Sequence, residues 1–141
     1  MTLQTQIVVA EDHPIIRQCI RLIIDRDPDT ILIGETANGQ DIVTLAQELK
    51  PEIVITDIML PTISGIEATR QILKLLPEIK VIAVSSHYEE IFLKNMLSAG
   101  ASGYILKDTL YDELIPAVRK VRNNEIYISQ MLVKKYGSSK F

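Results

Sequence analysis

Residues 53–65 read IVITDIMLPTISG, and this stretch decides how the chain folds. The first four residues, 53–56, are consecutively apolar or β-branched, which is typical of a central parallel strand whose two faces are both covered by helices. Asp57 follows directly, and residues 61–65 form a loop that leads into a segment with helical spacing of its apolar residues. This stretch therefore predicts a strand, a loop and a helix, which is one unit of an α/β fold.

The same arrangement recurs on both sides of this stretch. Four further β-branched runs are predicted as strands, at residues 7–10, 31–35, 81–84 and 104–106. The longer segments between them carry apolar residues at helical spacing, and Pro14 is well placed at the first position of the first helix. Five such units without a hairpin between strands predict an α/β fold, a doubly wound five-stranded parallel sheet with right-handed crossovers.

Length and composition indicate one soluble domain. Of the 141 residues, 47% are hydrophobic and 23% charged, a balance typical of a globular protein. The formal net charge of -3 gives no field that would attract a nucleic acid backbone or an anionic membrane. The single Cys19 cannot form an intramolecular disulfide, and we find neither a signal segment nor an apolar run of bilayer-spanning length. We therefore expect a cytoplasmic protein that, as this fragment, binds neither nucleic acid nor membrane.

The residues just beyond the predicted strands carry the chemistry of this sequence, because open α/β sheets bind ligands at those ends. Glu11 and Asp12 follow the first strand, Asp57 the third, Ser85 the fourth and Lys107 the fifth. Three carboxylates held close together resist joint ionisation, and a hard, oxygen-binding cation such as Mg²⁺ relieves their repulsion. A single loop acid such as Asp12 is more often a helix cap, but such residues at four strand ends favour a functional site.

Four segments resemble the motifs of response regulator receiver domains, the modules that are phosphorylated in bacterial two-component signalling. They are residues 7–14 (IVVAEDHP), 53–65 (IVITDIMLPTISG), 81–87 (VIAVSSH) and 99–108 (AGASGYILKD). The resemblance covers about residues 5–125 and is closest to receivers of regulators with LuxR-type helix-turn-helix outputs. It implies a flavodoxin-like fold with strand order 2-1-3-4-5.

The resemblance also divides the chain. It implies a receiver domain over residues 1–125, followed by a C-terminal linker or tail over residues 126–141 with no output domain. Residues 130–136 are expected to begin a linker helix, and residues 137–139 are typical of a flexible tail. Both an excised receiver and a natural stand-alone receiver fit this pattern.

The resemblance assigns a role to each residue of the acidic site. Asp57 is implied to be the nucleophile that takes a phosphoryl group from a phosphohistidine of a sensor histidine kinase. Glu11, Asp12, Asp57 and the backbone carbonyl of Met59 would hold Mg²⁺, and Lys107 would pair with a phosphoryl oxygen. The domain is then a phospho-acceptor for signalling rather than an enzyme, although it would catalyse its own phosphorylation and slow dephosphorylation.

The implied switch involves two further residues. Ser85 would donate a hydrogen bond to the phosphoryl group, and the Tyr104 ring would turn from an exposed to a more buried rotamer. The surface around the fourth helix would change as a result. Met59 and His87, two positions beyond Asp57 and Ser85, are predicted to tune the lifetime of the phosphoryl group.

One position departs from the pattern of the family. Many receivers carry a proline, joined by a cis peptide bond, directly after the lysine, whereas Lys107 is followed by Asp108. The geometry of this bond is open at the level of the sequence, because a non-proline cis bond costs about 2.5 to 4 kcal/mol.

Other functions fit the sequence less well than the phosphorylation-controlled switch. A dehalogenase-like phosphatase would need a second acid two residues after Asp57, where Met59 stands. A flavin or nucleotide module would need a phosphate-binding glycine motif, which the sequence lacks. A phosphorylation-independent, receiver-like binding module stays the alternative.

We also expect a phosphorylation-promoted homodimer, through either the first and last helices or the surface of helix four, strand five and helix five.

Overall fold

The computed structural model describes residues 3–137. Its strands are β1 (Thr5–Ala10), β2 (Thr30–Thr36), β3 (Ile53–Thr56), β4 (Lys80–Ser85), β5 (Gly103–Leu106) and β6 (Tyr127–Ile128). Its helices are α1 (Pro14–Arg26), α2 (Gly39–Leu49), α3 (Gly65–Leu75), α4 (Glu90–Ser98), α5 (Leu110–Arg122) and α6 (Gln130–Tyr136). None of these helices combines the length and the apolar content that crossing a bilayer requires.

The strands form one parallel sheet in the order β2-β1-β3-β4-β5-β6. The predicted doubly wound fold and the order of its first five strands are confirmed. The predicted number of strands is wrong, because β6 extends the sheet beside β5, with Gly103 paired to Tyr127 and Tyr104 to Ile128. A strand of two residues is too short to show the alternation by which strands are predicted.

The sheet separates two hydrophobic clusters. On one face, Val8 and Val54 pack with buried residues of α2, α3, α4 and α6. On the other face, Ile7 and Ile55 pack with buried residues of α1 and α5. Successive side chains of one strand therefore enter different clusters, which explains why the central strands are apolar at every position.

The loop between β3 and α3 is fixed by two small residues. The Ser64 hydroxyl caps α3 by accepting a hydrogen bond from the Glu67 N–H at 3.1 Å. The Gly65 N–H donates to the carbonyl of Ile58 at 2.7 Å, and a Cβ at Gly65 would lie 1.8 Å from the carbonyl oxygen of Asp57. Only glycine allows this close approach, which sets the backbone that carries Asp57.

Residues 127–136, which we call the C-terminal segment, pack against the rest of the domain. The helix predicted over residues 130–136 is confirmed as α6. Leu132 of α6 is 1% exposed and lies in the cluster that also contains residues of α4 and β5. The predicted boundary at residue 125 stays a prediction, and Ser138 and Ser139 of the predicted tail lie outside the described residues.

Candidate functional site

The carboxyl ends of β1 and β3 bring three carboxylates together. The two strands are neighbours with Ala10 paired to Thr56, so the residues that follow them meet at one edge of the sheet. Glu11, Asp12 and Asp57 each offer a carboxylate oxygen within 4.8 Å of the others. Glu11 is 1% exposed and Asp57 6%, whereas Asp12 is exposed to solvent. We call these three residues the acidic cluster.

Lys107 reaches the acidic cluster from the end of β5. Its Nζ lies 2.9 Å from Asp57 Oδ2 and 3.1 Å from Glu11 Oε1. Burial lowers the pKa of Lys107, but the hydrogen bonds and charges of Asp57 and Glu11 outweigh burial and raise this pKa above its ordinary value. The Lys107–Asp108 peptide bond is trans, which answers the question that the sequence left open.

The surroundings of Glu11 disfavour its negative charge. Burial first, and the charge of Asp57 second, raise the pKa of Glu11 to about 7, against the opposing bonds from the His13 N–H and Lys107. Oε2 accepts hydrogen bonds from the His13 N–H at 3.1 Å and from Lys107 Nζ at 3.3 Å. Oε1 is buried and is 3.1 Å from Lys107 Nζ as an ion pair, but it accepts no hydrogen bond from any residue within 3–137. A buried oxygen without a hydrogen bond, beside two further carboxylates, fits a hard divalent cation.

Arg17 of α1 holds the backbone of the acidic cluster. Its Nη1 donates a hydrogen bond to the carbonyl oxygen of Glu11 at 2.8 Å, while its Nε lies 3.2 Å from Glu35 Oε1. Arg21, one turn further along α1, pairs with the same Glu35 but makes no contact with Glu11 among those described. No sequence pattern pointed to Arg17, because its two partners lie at the ends of different strands.

Ser85 and Tyr104 both bond to the loop that follows β4. The buried Ser85 Oγ accepts the His87 N–H at 3.0 Å, and the Tyr104 hydroxyl donates to the His87 carbonyl at 3.0 Å. Contrary to the expected exposed starting position, the Tyr104 ring is 0% exposed, because Ile128 and Leu132 of the C-terminal segment pack in the same cluster. This burial raises the pKa of the Tyr104 hydroxyl to about 12.

Met59 and His87 each follow a site residue by two positions, Met59 after Asp57 and His87 after Ser85. The Met59 side chain is 57% exposed. The His87 ring stacks on Phe92 with 4.1 Å between the ring centroids. The roles of the Met59 carbonyl as a metal ligand, and of both side chains in phosphoryl lifetime, stay predictions.

Comparison with protein families decides what this architecture is. The family model of the response regulator receiver domain matches residues 7–119. The chain belongs to the response regulator receiver domain family. The acidic cluster and Lys107 therefore stand at the strand ends of a receiver domain, as the resemblance of the sequence motifs implied.

The receiver domain is similar in sequence to several bacterial regulators. It is 35% identical over 136 residues to the uncharacterized transcriptional regulatory protein YxjL of Bacillus subtilis, a match that covers 96% of this chain and 62% of YxjL. It is 33% identical over 136 residues to the response regulator GacA of Pseudomonas aeruginosa, a match that covers 96% of this chain and 64% of GacA. The receiver domain thus spans less than two thirds of the length of these relatives.

Solved structures extend this likeness to three dimensions. A LuxR-family two-component response regulator from Aurantimonas sp. SI85-9A1 superposes with a TM-score of 0.91 at 29% identity, covering 97% of this chain and 98% of that one. A LuxR-family DNA-binding response regulator from Staphylococcus aureus has a TM-score of 0.80 at 31% identity, and the match covers 84% of this chain and 99% of that one. The predicted similarity to receivers of LuxR-type regulators is confirmed.

Proposed function

We propose that this receiver domain is a phosphorylation-controlled switch that accepts a phosphoryl group on Asp57. The observation that carries the proposal is the way in which Asp57 is held. Its Oδ1 accepts the Ile58 N–H at 2.7 Å, and its Oδ2 lies 2.9 Å from Lys107 Nζ. A carboxylate fixed in this way suits nucleophilic attack on phosphorus, for which positioning and electrostatics matter most.

The metal site follows from the same residues. Glu11, Asp12 and Asp57, with the backbone carbonyl of Met59, would hold Mg²⁺, which supplies positive charge to the phosphoryl oxygens when it is bound. The acidic cluster, and a Glu11 Oε1 that accepts no hydrogen bond within residues 3–137, support this ligand set. Lys107 would exchange its contact with Asp57 for one with a phosphoryl oxygen.

The proposed donor is a phosphohistidine of a sensor histidine kinase. One carboxylate oxygen of Asp57 forms the new P–O bond while the P–N bond breaks, and the leaving imidazole keeps the electron pair and takes up a proton. The domain positions Asp57 for the attack and supplies positive charge to the phosphoryl oxygens, and the reaction needs no general base. In this sense the domain catalyses its own phosphorylation. Water later cleaves the acyl phosphate, which resets the switch slowly.

The proposed consequence is control of a DNA-binding output in the cytoplasm, with Ser85 and Tyr104 as the switch residues. This proposal is supported by the relatives described as transcriptional regulatory proteins.

Phosphorylation-promoted pairing of two receivers would be part of this control of the output. Of the two expected faces, we propose the face of α1 and α5, because Ile15 and Tyr111 there are 65% and 74% exposed, whereas the C-terminal segment covers the edge of β5.

Sedimentation velocity tests the proposed pairing. The receiver is compared with and without Mg²⁺ and the phosphoryl analogue beryllofluoride, and Ile15→Lys serves as the face-specific variant. We expect dimers of the wild type only with the analogue and fewer dimers of Ile15→Lys. A monomer in every condition would contradict the pairing.

Intact mass spectrometry tests the phosphorylation itself. Wild type and Asp57→Asn are incubated with Mg²⁺ and a small-molecule phosphodonor. We expect the wild type alone to gain the mass of one phosphoryl group, and only while Mg²⁺ is present. A wild type that binds Mg²⁺ but gains no mass would instead favour a phosphorylation-independent, receiver-like binding module.

A further inference from the structure

One loop receives hydrogen bonds from two tyrosines that lie far apart in the sequence. The loop runs from Ser85 at the end of β4 to the start of α4. The Tyr104 hydroxyl donates to the carbonyl of His87 at 3.0 Å, and the Tyr136 hydroxyl donates to the next carbonyl, that of Tyr88, at 2.7 Å. Tyr104 belongs to β5, whereas Tyr136 is the last residue of α6. The loop is therefore bonded to the sheet and to the C-terminal helix at consecutive residues.

The start of α6 is fixed independently of this loop. The buried Glu113 of α5 accepts the Ser129 hydroxyl at 2.5 Å and the Gln130 N–H at 3.2 Å. Ser129 Oγ also accepts the Leu106 N–H at 3.0 Å. Leu132, one turn into α6, is 1% exposed. One end of α6 is thus held by α5 and β5, while its other end holds the loop.

The C-terminal segment also closes the space around Tyr104. The Tyr104 ring is 0% exposed and shares a hydrophobic cluster with Ile128 and Leu132. The Ser129 N–H donates to the Tyr104 carbonyl at 2.9 Å. Because the ring is already buried, a displacement of the loop cannot be taken up by turning the ring inward from solvent. The displacement acts on the bonds that hold the loop, namely the two that its carbonyls accept and the one that the Tyr88 hydroxyl donates to Asp108.

We propose that Tyr136 positions the loop that begins at Ser85, and that phosphorylation of Asp57 releases α6 by breaking the bond between Tyr136 and Tyr88. This inference rests on the proposed function. Ser85 Oγ accepts the His87 N–H at 3.0 Å, so a Ser85 drawn towards the phosphoryl group takes the loop with it. The anchored start of α6 does not follow, and the bond at the other end of α6 breaks. In a longer regulator, α6 would pass the change on to the output.

Such a coupling is reciprocal. If a phosphoryl group on Asp57 weakens the bond of Tyr136, then removal of that bond must favour binding of a phosphoryl analogue by the same factor. A hydrogen bond of this kind corresponds to roughly a fivefold change in an equilibrium constant. Tyr136→Phe removes the hydroxyl alone and keeps the ring that packs against the domain.

The test combines hydrogen–deuterium exchange with titration of beryllofluoride in the presence of Mg²⁺. The full chain is compared as wild type, Tyr136→Phe and the control Thr44→Val, which removes the hydroxyl of an exposed residue of α2 that bonds to the Gln40 carbonyl of the same helix. We expect beryllofluoride to raise the exchange of the α6 amides in the wild type several-fold. Tyr136→Phe should show raised exchange without the analogue and bind it roughly fivefold more tightly. Thr44→Val should behave as the wild type.

Two results would overturn the inference. One is α6 exchange in the wild type that beryllofluoride leaves unchanged or lowers, a measurement that needs no variant. The other is a folded Tyr136→Phe, with a circular dichroism spectrum like that of the wild type, whose affinity for the analogue is unchanged. Failure of the wild type to bind beryllofluoride, or equal binding by Asp57→Asn, would count against the proposed function instead. The two failures are therefore distinguishable.

Discussion

Glu11 and Glu113 are both buried carboxylates, with 1% and 7% of their surfaces exposed, yet they lie in different kinds of region. Each oxygen of Glu113 accepts a hydrogen bond, one from the Ser129 hydroxyl and one from the Gln130 N–H. Glu11 Oε1 accepts none within residues 3–137, and Glu11 lies beside Asp57 in the acidic cluster. The C-terminal segment is thus built on a carboxylate whose two oxygens both accept hydrogen bonds, whereas in the acidic cluster one oxygen of Glu11 has only its ion pair with Lys107.

This difference separates a region built for stability from one built for chemistry. Buried polar groups with a structural role have their hydrogen bonds satisfied, as Glu113 does. Glu11 keeps unmet bonding capacity, and its pKa is raised to about 7, first by burial and then by the charge of Asp57. Such an arrangement disfavours the metal-free state and is relieved when a cation binds. The comparison predicts opposite effects of neutralising the two glutamates.

The largest expected effect is that of Glu113→Ala. This change leaves the Ser129 hydroxyl and the Gln130 N–H without their acceptor in a buried place, so the free energy of unfolding should fall by about 2 to 3 kcal/mol. Urea denaturation measures this loss. Glu113→Gln is the matched control, because its amide oxygen can keep one of the two bonds, and it should cost less. Unchanged stability of Glu113→Ala would remove the contrast.

Glu11→Gln should change the free energy of unfolding in the opposite direction. In the absence of divalent cations at roughly pH 8, it should raise the free energy of unfolding by about 1 kcal/mol, because the neutral amide avoids the charge that the pocket disfavours. The same variant should bind Mg²⁺ more weakly than the wild type, which calorimetric titration measures. A loss of stability in metal-free buffer would show that Glu11, like Glu113, serves the fold.

The pH dependence of this gain follows from the raised pKa. The folded value of about 7 lies above the ordinary 4.5, so protonated Glu11 contributes stability that is fully present below pH 4.5 and is lost as the pH rises through 7. The stability difference between Glu11→Gln and the wild type should therefore be small at roughly pH 5 and reach its maximum at roughly pH 8. A difference that is constant over this range would contradict the assignment to Glu11.

A smaller effect is expected at the support of the acidic cluster. Arg17→Ala should weaken Mg²⁺ binding by about threefold, because the Glu11 carbonyl loses a hydrogen bond while the Glu11 N–H keeps its bond to β2. Arg21→Ala is the matched control, since it loses a pair with the same Glu35 without touching Glu11. Saturating Mg²⁺ should restore phosphorylation of Arg17→Ala. Equal Mg²⁺ affinities of the two variants would exclude a positioning role.

The smallest effect on stability is expected at the positions beside the pocket. Met59→Ala and His87→Ala should change the rate of dephosphorylation, while the free energy of unfolding changes by less than about 0.5 kcal/mol for the exposed Met59. The rate is measured by following loss of the phosphoryl group by intact mass. Rates equal to that of the wild type in both variants would end this hypothesis.

The sequence predicted the acidic cluster well for a physical reason. Glu11, Asp12, Asp57 and Lys107 each stand within two residues of the end of a strand, and parallel strands bring such positions to one edge of the sheet. Strand periodicity was therefore sufficient to place them together. The family resemblance added their roles, which periodicity alone does not contain.

The C-terminal segment was predicted less well. The helix over residues 130–136 was expected from its pattern, but β6 has two residues and no readable alternation. Tyr104 is buried in the same cluster as Leu132 and is paired with Ile128, and both of these partners come from a distant part of the chain. The contact between Arg17 and the Glu11 carbonyl involves backbone, which no side-chain pattern reveals.

The central claim, that Asp57 is the phosphoryl acceptor, is tested most directly by trapping the acyl phosphate. The receiver is phosphorylated with a small-molecule donor and Mg²⁺ and then treated with borohydride, which reduces an acyl phosphate to the alcohol, and the modified residue is located by peptide mass mapping. We expect reduction at Asp57 alone, and none without the donor. Modification at Glu11 or Asp12, or none in a phosphorylated sample, would contradict the claim.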